Sequence, residues 1–179
     1  AGIFKADDIQ GQNRHRGYVQ ALQEAGMFYD PDKGIWFHTE DRKGHPREGI
    51  LRLLAKGISL DAVVCYNDQI AMQIIPALAS RGIRVPEDIS VTGYDNSCMA
   101  MGDGFHLTTI VHPQEKLGEM AAQLLLSLLQ GEILQPEERR ILIQPELVVG
   151  NSCCSRLRVS EIHWQNPRTP GACDTHVSM

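Results

Sequence analysis

Four short apolar runs each end in a burst of polar residues. Gly2, Ile3 and Phe4 lead into Lys5-Ala6-Asp7-Asp8, and Ile35, Trp36 and Phe37 into His38-Thr39-Glu40-Asp41. The run AVVCY at 62–66 leads into Asn67-Asp68, and ISVTGY at 89–94 into Asp95-Asn96. Between them apolar residues recur at helical spacing. The first helix is predicted over 12–25, with Tyr18, Ala21, Leu22 and Ala25 on one face. The second is predicted over 45–56, with Ile50, Leu51 and Leu54 inward. The third follows Asn67-Asp68, which can cap it, and buries Ala71, Ile74, Ile75 and Leu78; Pro76 predicts a kink within it. Gly26, Gly57, Gly82 and Gly131 each follow a helical pattern, where a left-handed terminal residue is wanted. Parallel strands need a crossover, so this alternation implies an α/β fold: a parallel sheet with flanking helices in three α/β/α layers. The four polar bursts then share the carboxyl rim of the sheet, where open α/β sheets bind ligands. A rim of Asp, Asn, Lys and Arg suits a polyhydroxylated or charged small molecule.

After Asn96 the rhythm breaks. Residues 97–106 read as irregular, 107–111 as a strand, and Pro113 opens a helix with the stripe Leu117, Met120, Ala121, Leu124, Leu125 and Leu128. Residues 140–144 and 146–149, parted by Pro145, read as closing strands. From 151 onward no period survives, which divides the chain into a folded unit at 1–150 and a disordered or loosely packed tail at 151–179. The 179 residues suffice for one domain and part of a second, and a net charge of −5 argues against this segment gripping nucleic acid by itself. No apolar run approaches the roughly 20 residues of a membrane span, and residues 2–4 are too short for a signal peptide, so the cytoplasm is the expected location. Ala1 opens directly inside a strand, and a piece of a longer protein is expected. The five cysteines, Cys65, Cys98, Cys153, Cys154 and Cys173, make no disulfide framework, and Cys65 reads as a small core residue. Cys153, Cys154, His163, Cys173 and His176 are zinc-ligand types, but their spacing fits no regular site. Neither a metal nor any other cofactor is expected, and no catalytic residues were found.

Two segments carry a resemblance. Residues 63–72, VVCYNDQIAM, and residues 82–96, GIRVPEDISVTGYDN, resemble the strand-turn-helix and the signature "GxRVPxDISVxGYDN" of the lac/galactose repressor (LacI/GalR) family. Residues 107–110 and Leu117-Gly118 fit that family's return strand and helix, so the likeness covers roughly 2–150. The opening FKADDIQG at 4–11 is similar to the arabinose-operon repressors, which join a sensor of this kind to a winged-helix head of the gluconate-repressor (GntR) type. The resemblance implies a periplasmic binding protein-like effector domain, here mostly its C-terminal lobe with the return segment of the N-terminal lobe. It implies no catalysis, a sugar effector (L-arabinose first), a homodimer, and operator DNA reached only through an absent head. The third helix and residues 97–103 would help form the dimer contact. The apolar stripe near 107–129 would belong to the absent lobe and be poorly covered here.

Residue by residue, Arg14 matches the family arginine that reaches the ligand, its alternative being a surface ion pair with Asp8. Asp95 matches the family aspartate, its alternative being a turn residue. Asn67 matches a pocket amide, with Asp68 the expected helix cap. Lys5, Asp8 and Gln10 face the same rim and are candidate contacts. His112 stands where many relatives carry glutamine, and is either a ligand contact or a surface histidine near a hinge. Trp36, Phe37 and Tyr66 pack in the core or stack on a sugar. Two other functions stay open: a sugar-binding transport protein of the same fold, and Mg²⁺-dependent phosphoacceptor or phosphohydrolase chemistry at Asp7, Asp8 and Asp68.

Overall fold

A computed structural model of the chain describes residues 1–97, 104–133, 135 and 140–155. Four parallel strands, β1 (Gly2–Lys5), β2 (Gly34–Phe37), β3 (Ala62–Cys65) and β4 (Ser90–Thr92), stand in the order β2-β1-β3-β4. Helices α1 (Ile9–Glu24), α2 (His45–Ala55) and α3 (Asp68–Ala79) make the crossovers. The chain steps outward from β1 to β2, then back across β1 to β3 and β4. Right-handed crossovers therefore put α1 on one face and α2 and α3 on the other. The reversal falls between β1 and β3, and the crevice outside their carboxyl ends is where this topology binds ligands.

The face under α2 and α3 is the main core. Ile3, Val63, Val91, Ile50, Ile74 and Leu78 are fully buried there. All four expected inward residues of α3 are buried, and the helix runs through Pro76 as one element. In α2, Ile50 and Leu53 are buried, while Leu51 and Leu54 pack at the margin. The opposite face is thinner. Phe4, pointing the other way from Ile3 by strand alternation, meets His15 and Tyr18 at ring centroid distances of 5.1 and 5.6 Å. Of the face expected in α1, only Tyr18 and Leu22 are half-buried, and Ala21 and Ala25 are exposed. The reason is that α1 is the one described helix on that face, and an apolar groove beside it opens over Val64 and Thr92.

Gly11 is the one buried residue of α1. A Cβ there would overlap the Lys5 carbonyl oxygen, so glycine lets the first turn of α1 lie against the end of β1. Gly11→Ala must push the helix away, and overpacking of this kind costs about 1–3 kcal/mol. Urea denaturation is expected to show that loss; unchanged stability would mean α1 is not seated as described.

Beyond β4 the sheet continues through β5 (Thr109–Val111): Gly93 N–H donates to Thr108 O and Asp95 N–H to Ile110 O, both at 2.9 Å. Strand β6 (Glu146–Val148) pairs antiparallel with β5. Residues 140–144 form no strand, since no described strand lies beside them to take up their hydrogen bonds. Helix α4 (Gln114–Leu129) buries none of its residues, and Leu117, Leu125 and Leu128 of its stripe are exposed. Among the described residues no helix is long and apolar enough to cross a membrane.

The expected boundary at 150 needs correction. Ser152 is completely buried; its hydroxyl donates to Val91 O at 2.6 Å and accepts from Thr108 N–H at 2.8 Å, and its carbonyl accepts from Val91 N–H at 2.9 Å. Cys154 N–H donates to Ser90 Oγ at 3.3 Å. Residues 151–154 thus dock on β4 through hydrogen bonds that composition cannot reveal. Ser152→Ala would orphan a buried N–H and is expected to lower stability by about 1–3 kcal/mol, measured as a shift in the urea midpoint; a wild-type midpoint would show that the docking contributes nothing. Residues 156–179, with His163, Cys173 and His176, lie outside the described residues, as do Cys98 and the rest of 98–103.

Candidate functional site

Asp8 ends the β1 turn in extended backbone, which sets it to cap α1. Its carboxylate accepts from Gly11 N–H at 2.6 Å and from the Tyr66 phenol at 2.7 Å, and pairs with Lys5 Nζ at 3.1 Å. Burial alone pushes the Asp8 carboxyl up, but the Gly11 N–H, the Tyr66 hydroxyl and Lys5 outweigh it and hold it below the ordinary carboxylate range. Burial, and after it the hydrogen bond to Asp8, push the Tyr66 phenol up to about 12. The folded state thus holds the phenolic proton more tightly than the unfolded chain does. Its contribution to stability is intact below pH about 10, the unfolded value, and fades as pH rises toward 12. Melting temperatures through that window are expected to fall less steeply in Tyr66→Phe than in the wild type; parallel slopes would disprove the coupling.

Arg14 lies in the second turn of α1 and reaches across the crevice. Its guanidinium donates to the Tyr66 carbonyl and to Asp95 Oδ1 at 3.1 Å. It also lies over the rings of Tyr94 and Tyr66, 3.7 and 4.6 Å from their centroids, an arrangement planar, delocalised arginine favours. The ion pair expected as its alternative, with Asp8, does not form; Asp8 takes Lys5 instead. One arginine therefore ties α1 to the ends of β3 and β4.

Asp95 has φ 102° and Asn96 φ 48°, the left-handed region that side chains rarely adopt. Such strain, about 1–3 kcal/mol per residue, persists only where surroundings fix it and clusters at functional sites. Here the Asp95 N–H bond to Ile110 O and the Arg14 pair fix it.

The cap of α3 is Asn67, whose Oδ1 accepts from Ile70 N–H at 3.1 Å, so its expected partner Asp68 is not the cap. Asp68 is buried and takes Ser97 N–H at 2.7 Å and the Thr109 hydroxyl at 2.6 Å, because its side chain turns under the sheet edge toward β5. With its Oδ1 engaged, the Asn67 amide keeps Nδ2 as a donor at the rim. Gln10 is exposed and touches the Tyr66 hydroxyl only at 3.5 Å. His112 does not meet Arg14; it lines a neighbouring hollow with Asp95, Asn96 and Gln69. Phe37 is buried and Trp36 is partly exposed, its ring tilted against His15 at a centroid distance of 4.7 Å. Cys65 is buried, and burial pushes its thiol up, in keeping with an inert core residue.

The structure thus brings together Lys5, Asp8, Arg14, Asn67 and Asp95. Sequence reasoning missed the working parts of Tyr66 and Tyr94. A signal existed: an aromatic residue immediately precedes Asn67 and Asp95 at the ends of neighbouring strands. The carboxylates weighed for Mg²⁺ do not converge. Asp7 accepts from the Thr39 N–H and hydroxyl, and Asp8 and Asp68 serve the separate partners given above. Among the described residues no group of three metal-ligating side chains forms. What the rim presents is a set of acceptors, donors and aromatic faces around an open crevice.

Residues 2–153 match the model of the periplasmic binding protein-like domain. An arabinose metabolism transcriptional repressor of Halalkalibacterium halodurans is 36% identical over 155 residues, covering 84% of this chain and 41% of that protein. The transcriptional repressor PurR of Pasteurella multocida is 36% identical over 147 residues, covering 82% of this chain and 42% of the repressor. The solved complex of the transcriptional regulator CelR with cellobiose superposes with a TM-score of 0.73 at 31% identity, over 85% of this chain and 46% of that one. The chain spans about two fifths of the length of the curated relatives it matches. With its 2-1-3-4 parallel sheet and a rim built at the switch point, the chain belongs to the periplasmic binding protein-like domain family, in the company of LacI-type transcriptional repressors.

Proposed function

We propose that this chain supplies one wall of the effector cleft of a sugar-responsive transcriptional repressor, with L-arabinose the first candidate effector. The observation that carries the reading is the Arg14–Asp95 pair, seated on Tyr94 and Tyr66 across the switch-point crevice. A guanidinium and two carboxylates at one rim can hydrogen-bond adjacent sugar hydroxyls, and charge-assisted bonds are the stronger kind. The relatives named above support a regulator over a transport protein of the same fold, and the arabinose repressor among them makes L-arabinose the first sugar to test. On this reading a sugar favours one closure state of two lobes, and closure in a homodimer alters the spacing of two DNA-binding heads. Moving such an equilibrium from 1:99 to 99:1 takes about 5.5 kcal/mol of differential affinity, the scale of a few hydrogen bonds to charged groups. The setting is the cytoplasm, where operator DNA lies. Calorimetric titration of the regulator carrying this chain with L-arabinose, D-ribose and cellobiose tests the reading. Saturable binding of L-arabinose alone is expected; another sugar would replace the effector, and no binding to any would overturn the sensor.

A further inference from the structure

We propose that a second hollow on the same rim, outside the Arg14–Asp95 site, is a subsite for a phosphoryl group. It lies between the ends of β1 and β2 and the start of α3. Three cations line it, Lys5, Arg42 and Lys43, and no carboxylate does. Its neighbour is balanced instead: Lys5 pairs there with Asp8, and Arg14 with Asp95. Arg42 and Lys43 are exposed and form no ion pair among the described residues.

Neutral donors converge on the same hollow. The start of α3 forms one wall. Asn67 has its Oδ1 engaged in the cap, and the Gln69 N–H has no hydrogen-bond partner among the described residues. Free N–H groups at a helix start, together with the helix dipole, favour anions. Lys5 is partly neutralised by Asp8, which leaves Arg42 and Lys43 to balance charge. Two unpaired cations match a phosphate at about −1.5 to −2 better than a singly charged carboxylate.

The hollow shares Lys5, Tyr66 and Asn67 with the neighbouring site. One phosphoryl chemistry therefore has two sources. Free inorganic phosphate would sit in the hollow alone, while a sugar phosphate would place its ring by Arg14 and Asp95 and its phosphoryl by Arg42 and Lys43. The second form rests on the sugar-sensing reading and the first does not.

The test is calorimetric titration of the full chain at low ionic strength with inorganic phosphate, then with L-arabinose 5-phosphate, in the wild type and in R42Q/K43Q. Removing two exposed charges is expected to weaken phosphate binding about tenfold. Added salt should weaken the wild-type interaction, because exposed charges are screened. If the ester binds more tightly than phosphate and Asp95→Asn removes only that gain, the source is a sugar phosphate. Equal binding of ester and phosphate assigns the hollow to the free ion. Absence of saturable binding, or equal affinity in R42Q/K43Q, overturns the subsite. The sugar reading is judged separately, by whether the wild-type regulator binds L-arabinose, and that affinity is expected to be the same in R42Q/K43Q.

Discussion

Asp68→Ala is expected to lower the stability of the chain by about 3 kcal/mol, as hydrogen bonds to a charged group contribute about 1.5–3 kcal/mol each and buried partners left unpaired add to the cost. Asp68 is 2% exposed. It receives the Ser97 N–H at 2.7 Å, the Ser97 hydroxyl at 3.2 Å and the Thr109 hydroxyl at 2.6 Å. Gly93 passes so close that a Cβ would overlap Asp68 Oδ1, so the carboxylate lies directly against the β4 end. Asp68→Asn is the informative second variant. Its oxygen can keep the Ser97 N–H, while its amino group must face Thr109 Oγ1, which can turn to accept. The expected order is wild type, then Asn, then Ala, read from urea midpoints with unchanged slopes. Asp68 also anchors the segment carrying Asp95 and Asn96, so Ala should weaken effector binding without touching the effector. Wild-type stability in Asp68→Ala would remove Asp68 from this account.

Asp95→Asn is expected to weaken effector binding roughly tenfold to a hundredfold, the loss of one or two charge-assisted bonds. The Arg14 guanidinium would lose its counter-charge at 3.1 Å but stay on the Tyr94 ring, so the site keeps its shape. Asn tolerates positive φ better than most residues, so φ 102° is no obstacle to folding. Calorimetry on the regulator carrying the change would give the affinity, and an operator-binding assay should be unaffected without sugar. A mutant that binds and responds normally would remove Asp95 from the site. Arg14→Lys should behave similarly, because an ammonium cannot reach Tyr66 O and Asp95 together while stacking on a ring.

The α/β alternation, the shared carboxyl rim and the inward face of α3 were legible in the sequence. Each rests on local signals: period two in Ile3-Phe4, period 3.6 in Ala71, Ile74, Ile75 and Leu78, and glycines after four helices at positive φ. That Arg14 and Asp95 face the same rim was expected from the family resemblance.

Local signals could not say which of two adjacent residues caps a helix. Asn67 and Asp68 are both capping types, and only the distant Ser97 and Thr109 draw Asp68 inward and leave the cap to Asn67. Nor could they show that Tyr66 and Tyr94 form a platform for Arg14, since those residues meet only after the sheet orders its strands. The docking of Ser152 on β4, 61 residues away, was hidden for the same reason. The sequence by itself determined the elements and the edge of the sheet where chemistry gathers, because backbone preference and side-chain period act over a few residues. Tertiary structure alone decided the partner of each polar group, because buried donors and acceptors must be satisfied by whatever the fold brings near, however far away it lies in the chain.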